Sequence, residues 1–126
     1  MQPTTLNRRK HRSENSYVAL GYQLASSAKR ANFDVLVLAD HQGFIVASSG
    51  DTATSEEVAA LSPMLCADAK PWHGFIDTRM GKLRLTAEPL QVQDRVLYLT
   101  ASEGQTAKLI AQEMQTANQG IHRILQ

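Results

Sequence analysis

The sequence predicts an α+β fold in which helices cover a five-stranded antiparallel sheet. Apolar residues recur at helical spacing in three segments, whereas five short runs alternate in polarity or are rich in β-branched residues. Tight turns join the first run to the second and connect the last three runs to one another. The predicted order is helix, two strands, helix, three strands, helix, and one sheet with helices on its faces buries all these apolar stripes together. With 126 residues, 43% of them hydrophobic, the chain suits a single domain.

The first predicted helix begins near Asn15. Its apolar stripe consists of Tyr17, Leu20, Leu24, Ala28 and Ala31, spaced three and four residues apart. Asn15 or Ser16 can cap its first N–H groups. Asn32 can end it, because asparagine tolerates the left-handed conformation.

Residues 1–14 are polar and aperiodic, which predicts a flexible basic arm before a domain of residues 15–126. The arm contains "RRKHR", which can attract phosphates, a membrane surface or an acidic partner. It lacks interleaved aromatic residues, and no DNA-binding pattern follows it, so we interpret it as a solubilising tail and expect no nucleic-acid partner. We also expect the fold to form without it.

A hairpin is predicted from "FDVLVLA", Phe33–Ala39, and "FIVASS", Phe44–Ser49. The turn between them, "DHQG", ends in Gly43. Asp40 is expected to organise this turn through its own side chain.

The second helix is predicted from "TATSEEVAAL" onward. Thr54 and Glu57 have the spacing of a capping box, which would place Glu56 and Glu57 in the first turn, where the helix dipole favours negative charge. Pro63 removes one backbone hydrogen bond, so we expect a kink there in preference to a stop near Leu61. The apolar stripe of this helix is Val58, Leu61 and Leu65.

The remaining strands are predicted at Trp72–Thr78, Lys82–Val92 and Arg95–Ser102. Pro89 cannot donate a ladder hydrogen bond, so it should mark a bulge or the end of the fourth strand. The last helix is predicted over residues 105–125 from its helical apolar spacing.

The sequence contains no recognisable catalytic motif. The four histidines show no metal-ligand spacing, and no glycine-rich nucleotide loop occurs. The single cysteine, Cys66, lies among apolar residues and is expected to be buried. We therefore predict no catalytic residue, no metal and no cofactor. No run of residues is long and apolar enough to span a membrane, and a cytoplasmic location is expected.

The hairpin "VLVLADHQGFIVASSGD" followed by "SEEVAALSPML" resembles the roadblock/light-chain-7 family. In that family a strand ending in an acidic residue leads through a glycine-containing turn to a strand of the form hydrophobic-V-A-S and then to a helix rich in Ala and Leu. Here these positions are Asp40, Gly43 and residues 45–48. The resemblance covers about residues 16–125 in element order, and residues 33–66 carry the motif.

This resemblance implies a profilin-like sandwich that forms a homodimer through its third strand and second helix. The expected dimer residues are Trp72, Gly74, Phe75, Ile76, Thr78, Leu61 and Leu65. Such proteins are not enzymes: bacterial members are often regulatory partners of small Ras-like GTPases, and eukaryotic members are scaffolds on dynein motors or lysosomal complexes. A partner surface is expected on the second helix at Glu56, Glu57 and Ala60, which face away from its apolar stripe.

The alternative is a small-molecule sensor of the GAF or PAS type. A sensor needs an apolar pocket between sheet and helices with a few polar groups in it. Small residues predict close packing that leaves little room for one: Ala47, Ala59, Ala60, Ala107 and Ala111.

Overall fold

The computed structural model describes the backbone of residues 4–126 and the side chains of residues 15–126. Three α-helices and five strands follow one another in the predicted order, with one short 3-10 turn, Ala67–Ala69, that the sequence did not predict. The elements are α1 (Thr4–Ala31), β1 (Phe33–Ala39), β2 (Ile45–Gly50), α2 (Thr52–Leu65), β3 (Trp72–Thr78), β4 (Gly81–Val92), β5 (Arg95–Glu103) and α3 (Ile110–Leu125).

The sheet is five-stranded, with the order β2-β1-β5-β4-β3. All four pairings are antiparallel. The predicted α+β architecture is therefore confirmed. β1 and β5 lie at its centre, while β2 and β3 are its two edge strands.

The helices form layers on both faces of the sheet. On one face α1 and α3 enclose an apolar cluster that includes Leu24, Leu99 and Met114. On the other face α2 packs through Val58 and Leu65 against residues of the central strands. Each cluster would remain exposed without its helices, so both layers are needed to bury the sheet.

Helix cover is unequal across the sheet. α2 packs mainly on β1, β5 and β2, and α1 packs on β2 and β1. We call the strands β2, β1 and β5 the covered half. β3 and β4, which receive little cover from helices, are called the open half.

α1 begins at Thr4, earlier than the predicted start at Asn15, and it ends as predicted. Asn32 adopts φ 58°, the left-handed conformation expected of a residue that ends a helix. The predicted flexible arm, residues 1–14, lies outside the described side chains. Its mobility and its dispensability for folding remain predictions.

The predicted capping box of α2 is wrong. The capping residue is Asp51, whose Oδ2 accepts hydrogen bonds of 2.8 Å from both the backbone N–H and the hydroxyl of Thr54. The helix therefore starts at Thr52, and Glu56 and Glu57 lie beyond its first turn. These two hydrogen bonds, the one from the backbone N–H first, lower the pKa of Asp51.

α2 continues past Pro63 as expected, and the kink there stays a prediction, whereas Pro89 marks neither a bulge nor the end of β4, contrary to the prediction. α2 runs through Pro63 to Leu65 without stopping near Leu61. β4 continues through Pro89, which pairs with Tyr98 with no register shift. β3 begins at Trp72, opposite Ala87, and does not extend to Pro89. β4 therefore has a neighbouring strand on one side only at Pro89, and prolines are tolerated at such edge positions.

α3 begins at Ile110, later than the predicted residue 105. The segment before it is fastened to the end of α1, because the Lys108 N–H donates to the Ala31 carbonyl at 2.8 Å. Asn32 Nδ2 donates to Thr106 Oγ1 at 2.9 Å. These tertiary contacts hold residues 104–109 in a non-helical path.

Among residues 4–126, no helix has both the length and the apolar content needed to cross a bilayer.

Candidate functional site

The β1–β2 turn is built as predicted around Asp40. Its Oδ1 accepts hydrogen bonds from the backbone N–H groups of Gln42 and Phe44, at 2.9 and 3.0 Å. Gly43 has φ 86°, and a Cβ added there would lie 3.1 Å from Cα of Ala60 in α2. Glycine is needed both for the backbone conformation and for the close approach to α2.

This approach creates a surface groove between the turn and α2. Glu56 and Ala60 line it together with Phe44 and Ile45. Phe44 is 65% exposed, and both Glu56 and Ala60 are exposed. We call these four residues the turn–α2 groove. Two of the three predicted partner-binding residues therefore lie together, and Phe44 is a further candidate that the sequence reasoning did not single out.

Glu57, the third predicted partner-binding residue, points elsewhere. Its Oε2 accepts a hydrogen bond of 3.0 Å from Arg79, which lies in the β3–β4 turn. The side chain of Glu57 is only 17% exposed. Glu57 thus connects α2 to the open half of the sheet and is less available to a partner than Glu56.

The predicted dimer residues of β3 lie on both faces of this edge strand. Trp72, Gly74, Ile76 and Thr78 are half-buried on the α2 side, whereas Phe75, on the opposite face, is 63% exposed. A Cβ at Gly74 would lie 3.0 Å from the Trp72 ring, so the indole covers this part of the strand. β3 pairs only with β4, and its outer backbone edge is open.

The predicted dimer residues of α2 differ in exposure. Leu61 is half-buried, while Leu65 is buried and already belongs to the apolar cluster under α2. Between them Met64 is strongly exposed. The sequence reasoning missed Met64 because it lies outside the apolar stripe of Val58, Leu61 and Leu65.

A polar cluster on the other face of the open half surrounds Glu103. The Glu103 side chain is 1% exposed, and its Oε2 accepts a 2.6 Å hydrogen bond from the Thr86 hydroxyl. His73 Nε2 lies 3.3 Å from the same oxygen. Arg84 Nε lies 3.6 Å from Oε1. Sequence reasoning did not find Glu103, although its position two residues after Ala101 puts it on the apolar face of β5.

Cys66 is buried, as predicted. Burial, and secondarily the negative charge of Glu88, raise the pKa of its thiol to about 11. The thiolate is the nucleophilic form of cysteine, so this thiol stays protonated and unreactive at neutral pH. Burial also raises the pKa of Glu88.

Among the residues whose side chains are described, no group of three or more His, Cys, Asp or Glu residues is placed to hold a metal ion. Exposed apolar side chains lie both at the β3 edge and in the turn–α2 groove, at Phe75 and Phe44.

The fold is similar to that of three solved structures. MglB from Myxococcus xanthus matches with a TM-score of 0.59 and 20% identity, over 86% of this chain and 88% of that chain. The gliding protein MglB from Thermus thermophilus matches with a TM-score of 0.57 and 16% identity, over 87% and 90%. A structure described as MglB with tetrameric arrangement gives a TM-score of 0.60 and 16% identity over the same shares.

No protein-family model matches the sequence. No curated protein matches it either. The similarity is therefore detected in the structure and not in the sequence. The chain has the roadblock-type, profilin-like fold of the MglB proteins, as the resemblance of its hairpin implied.

Proposed function

We propose that the protein is a non-enzymatic homodimeric adaptor that binds a small Ras-like GTPase or a similar regulatory protein. The observation that carries this proposal is the pair of exposed apolar surfaces at opposite edges of the sheet, around Phe75 and around Phe44. The fold shared with MglB, one example of which is described as tetrameric, supports self-association. The GTPase is the type of partner that the roadblock resemblance implies.

The β3 edge is the proposed dimer surface. An edge strand with free backbone groups pairs readily with another chain, and a second copy of β3 offers the same unpaired groups in a two-fold arrangement. Partly buried apolar residues continue this surface on the α2 side: Leu61, Trp72, Ile76 and Leu83. A dimer would remove them from water.

Sedimentation of the full chain at micromolar concentration tests the dimer. We expect a mass of about twice the 13.9 kDa of one chain. Phe75→Asp should shift the protein to monomer, because it puts a charge into the interface at a side chain that is exposed in the isolated chain. The matched control is Phe44→Asp, at a similarly exposed phenylalanine beside the other edge strand, which should leave the dimer intact. A wild-type monomer would contradict this part of the proposal.

The turn–α2 groove is the proposed partner surface. Phe44 supplies an apolar anchor, and Glu56 supplies a charge at its rim. Exposed aromatic residues often contribute most of the affinity at an interface, whereas rim charges tune encounter and specificity. Both side chains are exposed, so substitutions there leave the core unaltered.

Binding of small GTPases from the source organism, loaded with GDP or with a non-hydrolysable GTP analogue, tests this surface. We expect Phe44→Asp to abolish binding and Glu56→Lys to weaken it. Asp94→Lys, a charge reversal at an exposed residue of the β4–β5 turn, outside both the groove and the β3 edge, is the control. Glu57→Lys should weaken binding less than Glu56→Lys, since Glu57 faces Arg79. Equal binding by wild type and Phe44→Asp would place the partner elsewhere.

The sensor alternative requires a pocket between the sheet and a helix layer. Large side chains in both apolar clusters are fully buried, among them Leu24 and Val58, and this close packing favours the adaptor. If purified protein captures no GTPase, and a metabolite instead raises its melting temperature in a saturable way, the sensor becomes the better explanation.

A further inference from the structure

A groove unrelated to the proposed partner surface lies between the open half of the sheet and the start of α3. Its volume is about 360 Å³, within the range of small-ligand sites. Its lining combines three charged and three apolar side chains: Lys82, Arg84, Glu103, Phe75, Ala107 and Ile110. The three charged residues and Phe75 come from neighbouring strands, so the paired sheet positions them.

The first sign of a ligand is an unused acceptor in the groove lining. Glu103 is the most deeply buried of these charged side chains, and its Oε1 makes no hydrogen bond. Thr86 and His73 both approach the other oxygen, Oε2. Arg84 Nε forms an ion pair with Oε1 at 3.6 Å, which is too long for a hydrogen bond. Leaving a buried carboxylate oxygen without a donor is unfavourable. A donor group of a bound molecule would satisfy it.

The second sign is the charge on the rest of the groove. Arg84 and Lys82 are both positive, and only Glu103 among the lining residues is negative, which leaves an excess of positive charge. The Arg84 guanidinium lies 5.8 Å from the centroid of the Phe75 ring, within cation–π distance. A negatively charged group close to these two cations would balance the excess.

The start of α3 adds to this preference for an anion. No side chain caps the helix at Leu109, and the N-terminal end of a helix favours negative charge. The one acidic residue in its first turn, Glu113, is bound to Arg30 through both carboxylate oxygens. Ile110, the first residue of α3, lines the groove.

A ligand for this groove must therefore carry a hydrogen-bond donor, an anionic group and an apolar part. We propose that the groove binds an apolar α-amino acid, whose ammonium group donates to Glu103 Oε1 and whose carboxylate pairs with Lys82 and Arg84. Its side chain lies against Ala107, Ile110 and Phe75. This inference goes beyond the adaptor function and does not depend on it. The groove lies at the surface beside the start of α3, whereas the sensor alternative places its ligand within the closely packed clusters.

Calorimetric titration of the full chain with L-leucine tests the proposal. Two compounds each lack one of the charged groups: L-leucinamide has no carboxylate, and isocaproate has no amino group. We expect leucine to bind saturably and each of the others to bind at least about tenfold more weakly, since a charge-assisted hydrogen bond is worth about that factor or more.

Variants connect the binding to the named residues. Glu103→Gln should weaken leucine binding by about tenfold and reduce the preference for leucine over isocaproate. Lys82→Gln, at an exposed residue, should reduce the preference for leucine over leucinamide. Asp94→Asn, at an exposed residue of the β4–β5 turn outside the groove lining, is the control and should bind as wild type. Phe75 is left unchanged because it also belongs to the proposed dimer edge.

Three results would overturn the proposal: no leucine binding by folded wild-type protein at millimolar concentration, equal binding of leucinamide or isocaproate, or unchanged affinity in both Glu103→Gln and Lys82→Gln. If Glu103→Gln does not fold, the Lys82→Gln comparison decides. The titration contains no partner protein, so its failure is distinguishable from failure of the adaptor proposal.

Discussion

The covered and open halves of the sheet differ in how much of their surface the fold itself uses. β1 is buried along nearly its whole length, with Asp34 the one exposed residue. β3 contains no fully buried residue, and its exposure alternates regularly along the strand. β1 belongs to the folding core, whereas β3 leaves apolar and polar groups available for contacts outside the chain.

The difference follows from the residues in each strand. "VLVLA" in β1 presents apolar side chains to both faces, as a strand between two helix layers requires. "WHGFIDT" in β3 alternates Trp72, Gly74 and Ile76 with His73, Phe75 and Asp77. Such alternation suits a strand with one semi-apolar face and one solvated face. The comparison indicates that β1 serves the folding core, whereas the β3 edge remains available for interaction.

The largest expected difference in stability is between two leucine truncations, one in each half of the sheet. Leu99→Ala removes a fully buried side chain between the helix layers and should lower the free energy of unfolding by about 2–5 kcal/mol. Leu83→Ala, at a half-buried leucine of β4, should cost about 1 kcal/mol, since less apolar area is lost. Urea unfolding measures both. Similar losses would show that the partly exposed start of β4 contributes to stability as much as the centre of the sheet.

A smaller loss of stability is expected when either of two glycines with positive φ is replaced by alanine. Gly50 in β2 has φ 114°, and a Cβ there would overlap the backbone carbonyl oxygen of Asp34 and lie 3.1 Å from Cα of Val35 in β1. Gly81, at the start of β4, has φ 96° but nothing within 4 Å of an added Cβ. Gly50→Ala should cost about 3 kcal/mol from strain and backbone overlap together, and Gly81→Ala about 1 kcal/mol from strain alone.

Thermal unfolding of the two alanine variants compares these glycines directly. Gly50 should tolerate the added methyl group less, because the backbone of the neighbouring strand β1 lies against it. The comparison fails if Gly81→Ala is the less stable of the two variants.

The smallest effect should come from the ion pairs. Glu113 is buried and receives two hydrogen bonds from Arg30 Nε, at 3.0 and 3.1 Å, between α3 and α1. Glu113→Gln should destabilise the protein by about 1–2 kcal/mol through loss of a charge-assisted contact at a buried carboxylate. Arg79→Gln breaks the exposed pair with Glu57 and should cost less than about 1 kcal/mol. Added salt should reduce the second effect more, and an equal salt response would argue against the difference in burial.

The sequence alone determined the order of the elements and the design of the β1–β2 turn, because both depend on local signals. Strand boundaries at Phe33, Ala39, Trp72 and Thr78 agree with those predicted, since periodicity and turn residues act over a few positions. Asp40 and Asn32 also have the roles predicted for them. The role of Asp40 follows from the hydrogen bonds that its own side chain accepts, and the role of Asn32 follows from its backbone preference. Both are local properties.

Only the tertiary structure decided where α3 begins, how Pro89 is accommodated and what surrounds Glu103. Residues 104–109 have helical spacing, yet hydrogen bonds to the end of α1 keep them out of the helix. Pro89 is tolerated because β3 stops short of it. Glu103 receives Thr86 and His73 from strands distant in sequence. In each case the decisive group is brought near by pairing or packing, and periodicity within a single segment carries no information about it.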